Sequence, residues 1–227
     1  MATPISVVIP LAPGEEAWKE LLPQLVLPKG SEIILAAGEQ EINVSDEPVR
    51  IVTSAPGRAQ QMNAAAREAD AEIFWFLHAD SKLGEKAVEK LICCVGENPD
   101  TLWFFDLRFS DDGPKAMKWN EWAVKWRAGV LKVPFGDQGF CISRKLFFEL
   151  GGYREDIAYG EDHVFVWKVR QEGYPVERIG ADIFTSARRY ETNGWFSTTL
   201  SFVSRTIWQA IPQQAELLRR QIGRLFS

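Results

Sequence analysis

The stretch Glu72 to Asp80, EIFWFLHAD, decides how this chain is read. Five consecutive large apolar residues, Ile73 to Leu77, run directly into His78-Ala79-Asp80. An unbroken apolar run of this length marks a strand covered on both faces, as at the centre of a parallel sheet. Ser81 and the helix-like segment GEKAVEKLICCV follow, so the whole reads as a βα unit. His78 and Asp80 then sit at a strand's carboxyl end, where open α/β sheets bind their ligands. In extended geometry two residues separated by one position project to the same side. Together they suit a divalent cation and the phosphate oxygens around it. The competing reading has Asp80 cap the next helix and His78 donate to a backbone carbonyl. The local sequence leaves both open.

On either side of this strand the first half of the chain alternates between strand and helix. Residues 5–10, 31–37 and 49–53 are strand-like, and residues 16–25 are helical with Trp18, Leu21, Leu22 and Leu25 as the apolar positions. Pro56-Gly57 opens an Ala-rich helix before EIFWFLHAD. This rhythm predicts an α/β fold with a mostly parallel sheet flanked by helices, residues 1–100 forming a nucleotide-binding half.

Residues 101–190 change character. LWFFDLRF, residues 102–109, is strand-like, and a turn at SDDGP precedes a helix bearing Trp119, Trp122 and Trp126 at helical spacing. Such a stripe is more often core than binding site. In FGDQGFCISRKLFFELGGY a glycine-interrupted strand leads to a helix that stops at Gly151-Gly152. Tyr159-Gly160-Glu161-Asp162 then opens another helix with two carboxylates at its amino end. Acids are favoured there as simple caps, although capping alone does not require two behind a glycine turn. The tail, residues 191–227, predicts two helical pieces broken near Pro212. Its stripe of Leu200, Val203, Ile207 and Ile211 is expected to pack on the body, and Arg219, Arg220 and Arg224 make the last piece basic. Membrane contact is expected to be at most peripheral.

Composition bounds the class. A chain of 227 residues with 46% hydrophobic content can bury one substantial core, so residues 1–227 are read as a single domain. The net charge of -5 argues against a nucleic-acid partner, which requires a concentrated basic face. The three cysteines include the neighbours Cys93 and Cys94, which speaks against a disulfide framework and for a reducing, cytoplasmic setting. The opening MATPISVVIP lacks a basic leader, so no signal peptide is expected. No apolar run approaches the ~20 residues of a membrane span.

Taken in order, SVVIP, PGRAQQMNAAA, FLHADS, FGDQGFCISRKLFFELGGY, Gly160-Glu161-Asp162 and TSARRYETNGW resemble family 2 glycosyltransferases with the GT-A fold. The similarity spans nearly the whole chain and is strongest to the bacterial subgroup of radical-SAM/selenodomain-associated transferases. It implies transfer of a sugar from a UDP- or GDP-sugar to an acceptor hydroxyl, with inversion and with a divalent cation, Mg2+ or Mn2+, on the diphosphate. The acceptor is left unidentified, a lipid-linked one included.

By that resemblance His78-Ala79-Asp80 stands for the family's Asp-x-Asp element, with Asp80 the metal ligand and His78 beside the nucleotide. Asp162 resembles the catalytic base and Glu161 a group that orients it. Pro10, Glu15, Arg58, Asn63 and Arg189 are implied for the nucleotide, and Asp137, Gln138 and Trp195 for the acceptor. Two departures stand out. Pro13-Gly14-Glu15 replaces the usual Asn-Glu pair after the first strand, and LAAGEQE replaces the acidic, glycine-containing end of the second, with Glu39 or Asp46 as substitutes. Two other classes stay open. A nucleotidyltransferase would use a related sheet and a metal, but no glycine-rich phosphate loop follows the first strand. A non-catalytic, ligand-binding descendant would explain the altered second-strand motif. The letters HAD do not signal a dehalogenase-type phosphatase, which needs Asp-x-Asp-x-Thr.

Overall fold

The computed structural model describes residues 3–38, 42, 49–110, 112–114, 116–187, 190 and 194–225. Glu39, Asp46 and Arg189, assigned above to the nucleotide, lie outside the described residues. Strands β1 (Ile5–Pro10), β2 (Glu32–Ala37), β3 (Val49–Thr53), β4 (Ile73–Phe76), β5 (Lys82–Leu83), β6 (Leu102–Phe109), β7 (Phe140–Ser143) and β8 (Val176–Thr185) form one sheet in the order β3-β2-β1-β4-β7-β6-β8-β5. The first four pair in parallel, and β6 pairs with β8 in parallel. β7 runs against both β4 and β6. β4, the strand that ends at HAD, therefore sits between the parallel half and the mixed half, at a point where the strand order reverses and a crevice opens.

Helices α1 (Trp18–Leu21), α2 (Arg58–Glu68), α3 (Ala87–Glu97), α4 (Met117–Val130), α5 (Arg144–Glu149), α6 (Glu161–Glu172) and α7 (Trp195–Leu225) cover the sheet. Alternation along β4 feeds two cores. Phe74 and Phe76 face α2, α5 and α6, whereas Ile73 and Trp75 face α1 and α3. Trp75 is completely buried and stacks on Phe105 with ring centres 5.3 Å apart. Withdrawing one such side chain from water stabilises the fold by up to about 3 kcal/mol.

Three expectations from the sequence fail. Strand β4 ends at Phe76, and a turn closed by Ser81 N–H donating to the His78 carbonyl at 3.2 Å follows. His78 and Asp80 thus do not project together as they would on a strand. The tryptophan stripe is not core: Trp119, Trp122 and Trp126 are 71%, 64% and 49% exposed, because α4 rests on the sheet through Met117, Asn120 and Ala128 instead. The tail is one helix running through Pro212. Proline removes a single backbone donor, and here Gln209 and Gln213 tie the helix to α6 on either side of it. That tie uses the polar edge of α7 together with Leu217, so Leu200, Val203, Ile207 and Ile211 face outward rather than against the body.

Candidate functional site

The recess at the carboxyl edge of β4 is assembled from three segments distant in sequence. Helix α2 begins at Arg58, whose Nε lies 3.0 Å from Glu161 Oε1 and whose Nη2 lies 3.9 Å from Asp162 Oδ2. Gly160 has φ of 78°, and a Cβ there would lie 2.6 Å from the Gln209 amide, so the turn into α6 requires glycine. Asp162 Oδ1 accepts from the His163 N–H at 2.8 Å, and its Oδ2 accepts from the Gly136 N–H at 2.5 Å. A Cβ on Gly136 would sit 2.6 Å from Arg58 Nη2 and 2.9 Å from Asp162 Oδ2. The close approach of that loop to Asp162 is therefore also a glycine property. Arg58, His78, Gly136, Tyr153 and Asp162 line a recess with about 10 Å³ for the centre of a water molecule, room for one.

Asp162 thus does more than cap its own helix, since one of its two acceptor bonds reaches into another loop. Asp80 does not cap the following helix: α3 starts at Ala87 behind Lys86. The capping explanation is removed for Asp80 and incomplete for Asp162.

The charges are distributed unevenly. Burial alone would raise Asp162, but Arg58, the two backbone N–H donors and His78 hold its carboxyl below the usual range. His78 is pushed down to about 3, first by burial and then by the Arg58 charge, so its imidazole is neutral at physiological pH. Asp137, on the 3-10 turn Gly136–Gln138, is pushed up to about 6 by burial; Arg127 opposes the rise and Asp162 adds to it. Burial lowers Arg127 to about 10, and its guanidinium lies 3.3 Å from the centre of the Phe135 ring. Asp80 is exposed at the rim, yet the surrounding protein bulk raises its carboxyl, with Glu15 and Asp112 adding to the rise and Arg58 opposing it.

Among the described residues six buried side-chain polar atoms make no well-directed hydrogen bond; four of them belong to His78, Arg127 and Asp137, and a fifth, Arg58 Nε, meets Glu161 only as an ion pair. An unsatisfied buried polar atom costs about 1–3 kcal/mol. Such atoms concentrated in one place mark a region whose polar groups are aimed at something other than the protein.

The remaining residues assigned from sequence divide. Pro10 ends β1 at the same edge of the sheet. Glu15 uses Oε1 to accept from the Ala17 N–H at 2.8 Å, and its charge reaches Asp80. Asn63 is buried and directs its amide elsewhere: it donates to the Tyr153 carbonyl and to Glu155, and accepts from the Tyr153 N–H. It clamps the loop before α6. Gln138 is likewise occupied, donating to the Phe105 carbonyl and accepting from the Phe135 N–H. Trp195 donates to Asn120 at 3.1 Å and joins α7 to α4. Sequence reasoning missed Gly136, Tyr153 and Arg127. Arg127 had no visible signal, being one more cation in an aromatic helix.

Among the described residues no group of three or more His, Cys, Asp or Glu side chains gathers to hold a metal. The donor set at Asp80 is nevertheless of the right kind for Mg2+ or Mn2+. It offers a hard carboxylate at the rim with the charges of Glu15 and Asp112 acting on it, and such ions are often held by one or two carboxylates plus substrate phosphates.

No protein-family model and no curated protein sequence matches the chain. Solved structures do match in shape. GalNAc-T7, crystallised with UDP, GalNAc and Mn2+, superposes with a TM-score of 0.59 at 15% identity, covering 82% of this chain and 44% of that one. S. aureus TarS gives 0.61 at 13% identity over 81% of this chain and 36% of that one. Residues 1-349 of TarS give 0.62 at 13% identity over 97% and 72%, and the same fragment with UDP-GlcNAc gives 0.57 at 14% over 81% and 58%. The chain spans less than half the length of the first two. These likenesses establish the GT-A fold.

Proposed function

We propose that the chain is an inverting glycosyltransferase that moves a sugar from a nucleotide-diphospho-sugar to an acceptor hydroxyl. The observation that carries this reading is the cluster of unpartnered buried polar atoms on His78, Arg127 and Asp137 around an ionised Asp162 that Arg58 faces. A sugar hydroxyl both donates and accepts, so it can satisfy Asp137 and Arg127 together in a way that no apolar ligand can. The GT-A fold supports a nucleotide-sugar donor, and the UDP and UDP-GlcNAc in two of the similar structures favour UDP over GDP.

In this reading Asp162 is the base. Each of its oxygens accepts one backbone N–H and keeps a further lone pair. It takes the proton of the acceptor hydroxyl as that oxygen bonds to the anomeric carbon from the face opposite the diphosphate. The leaving group departs with the bonding electron pair. Glu161 holds Arg58, and Arg58 keeps Asp162 charged and in place. Neutral His78 can offer a hydrogen bond at the same recess without adding charge. Asp80, with Glu15, would hold a divalent cation whose contribution when bound is to stabilise negative charge on the departing diphosphate. The wider assignment to family 2 rests on the ordered motifs of the sequence.

A thermal-shift screen with UDP and GDP, each with and without Mn2+, tests the reading. The expected result is a melting temperature raised by UDP with Mn2+ and raised less by UDP alone, since a ligand bound only to the folded state stabilises it by mass action. If no nucleotide diphosphate shifts the melt under any condition, the donor assignment is lost.

A further inference from the structure

Two helices turn apolar stripes to solvent. On α4, Trp119, Trp122, Trp126 and Val130 fall at intervals of three and four and are 71%, 64%, 49% and 64% exposed. On α7, Phe196, Leu200, Val203, Ile207 and Ile211 keep the same spacing, Leu218 and Ile222 continue the stripe two turns on, and all are between 48% and 71% exposed, with Trp208 at 80% beside them. The helices meet where Asn120 bonds Thr199 and Trp195. Apolar exposure on this scale is far beyond the scattered single residues of an ordinary surface.

Charge identifies what covers it. On α4 the exposed cations are Lys118 and Lys125 against the single acid Glu121, and on α7 the Arg219 side chain is 85% exposed, in a chain whose total charge is -5. The Arg127 guanidinium is buried at the site, and Arg220 is held by Glu172 and Glu216. The opposing acid on α4 is already engaged, because Glu121 pairs with Arg108 at 3.6 Å and accepts from the Phe109 N–H. Lys118 and Lys125 are exposed, lie along one flank of the tryptophan stripe, and border a groove of about 240 Å³ shared with Trp122 and Arg108. A second copy of this acidic chain would offer the same basic stripe back, and like charges would face each other. No helix among the described residues is long and apolar enough to cross a membrane.

We propose that α4 and α7 seat the protein on an anionic lipid surface. The tryptophans and the aliphatic stripe enter the headgroup boundary, while Lys118, Lys125 and Arg219 meet lipid phosphates. Tryptophan suits this depth because it has one apolar body and one N–H.

Co-sedimentation of the full chain with vesicles tests it, comparing phosphatidylcholine alone with an equimolar mixture of phosphatidylcholine and phosphatidylglycerol. The chain should pellet with the anionic vesicles, weakly with the zwitterionic ones, and less as salt rises. Each basic residue near such a surface contributes roughly a fivefold factor, so Lys118→Glu with Lys125→Glu should weaken partitioning by more than about tenfold. Trp122→Gln with Trp126→Gln should weaken it comparably while leaving the melting temperature unchanged, since both side chains are already in solvent. Failure to pellet with either vesicle would overturn the proposal. So would equal pelleting of the charge-reversed and native chains, or a salt-resistant dimer that the tryptophan substitutions dissociate.

Discussion

Asp80 and Asp162 lie at the same edge of the sheet, and their surroundings treat them oppositely. Asp80 is exposed, raised by nearby bulk and by other acids, and has only distant help from Arg58. Asp162 is largely enclosed, yet it is held low by Arg58, two backbone donors and His78. Exposure alone would predict the reverse order. What decides is the count of donors aimed at each carboxylate, because a buried anion is tolerated only when it is paired and hydrogen-bonded. The difference suits two tasks: a carboxylate short of positive partners attracts a cation, and one with fixed partners can receive a proton and keep its geometry.

The largest expected effect tests the Asp162 side. Asp162→Asn should lower sugar transfer by ~10²–10⁴-fold while donor affinity stays within a few-fold, measured by initial rates and by titration calorimetry. Its amide can accept only one of the two backbone N–H bonds, so a stability loss of about 1–2 kcal/mol should accompany it in urea melts. Transfer near the native rate would return the residue to a capping role.

Gly136→Ala comes next. The added methyl meets Arg58 and Asp162 at 2.6 and 2.9 Å, and overpacking of that kind costs about 1–3 kcal/mol. Melts should show the loss, and the contrast between the two aspartates should shrink as the 136 loop is pushed off Asp162. An unchanged melt would mean that the loop approaches Asp162 less closely than described.

Asp80→Ala addresses the other side. It should remove the cation's contribution to nucleoside diphosphate affinity, roughly a tenfold effect if one carboxylate contact is lost, in the range of 1–3 kcal/mol for a hydrogen bond or contact to a charged group. Metal-independent affinity should be untouched. Equal affinity with and without metal in the native protein would break the comparison at its Asp80 end.

The last test concerns Asp137, whose carboxyl burial raises first and the charges of Asp162 and Asp80 raise further. Its folded pKa of about 6 lies above the ordinary carboxylate value, so the folded chain binds the extra proton between those limits. Stability attributable to this group falls as pH rises from about 4 through 6 and stays lost above that. Asp137→Asn should therefore raise stability near pH 7 and have little effect near pH 4. Melts across that range check the sign. If the gain appeared at pH 4 and not at pH 7, the buried-acid account would be wrong. Asp162 has the opposite sign: its stabilisation is present above the ordinary carboxylate pKa and is lost as pH falls through its lowered value.

Strands such as β1 and β4 were legible because a covered strand must be apolar throughout, and the punctuation at Pro56-Gly57 and Gly151-Gly152 placed helix ends within a residue or two. Glu161 and Asp162 were legible as a pair behind a glycine turn. Their partner was not. Arg58 joins them only because α2 and α6 meet over the same edge, and nothing in PGRAQQ indicates a carboxylate nearly half a chain away. Asn63 and Gln138 looked like ligand-binding groups, since an amide's type does not reveal which of its hydrogen bonds the fold already uses. The tryptophan stripe misled for a related reason. Periodicity shows that residues share a face, and only packing shows whether anything lies against it.

By itself the sequence determined the α/β class, the order of elements and the two acidic motifs, because burial and backbone preference act within a few residues. The tertiary structure alone decided which way His78 and Asp80 point after the turn, which donors each aspartate receives, and which helix faces stay in water. Those outcomes depend on sums of charges and contacts from segments that the sequence keeps far apart.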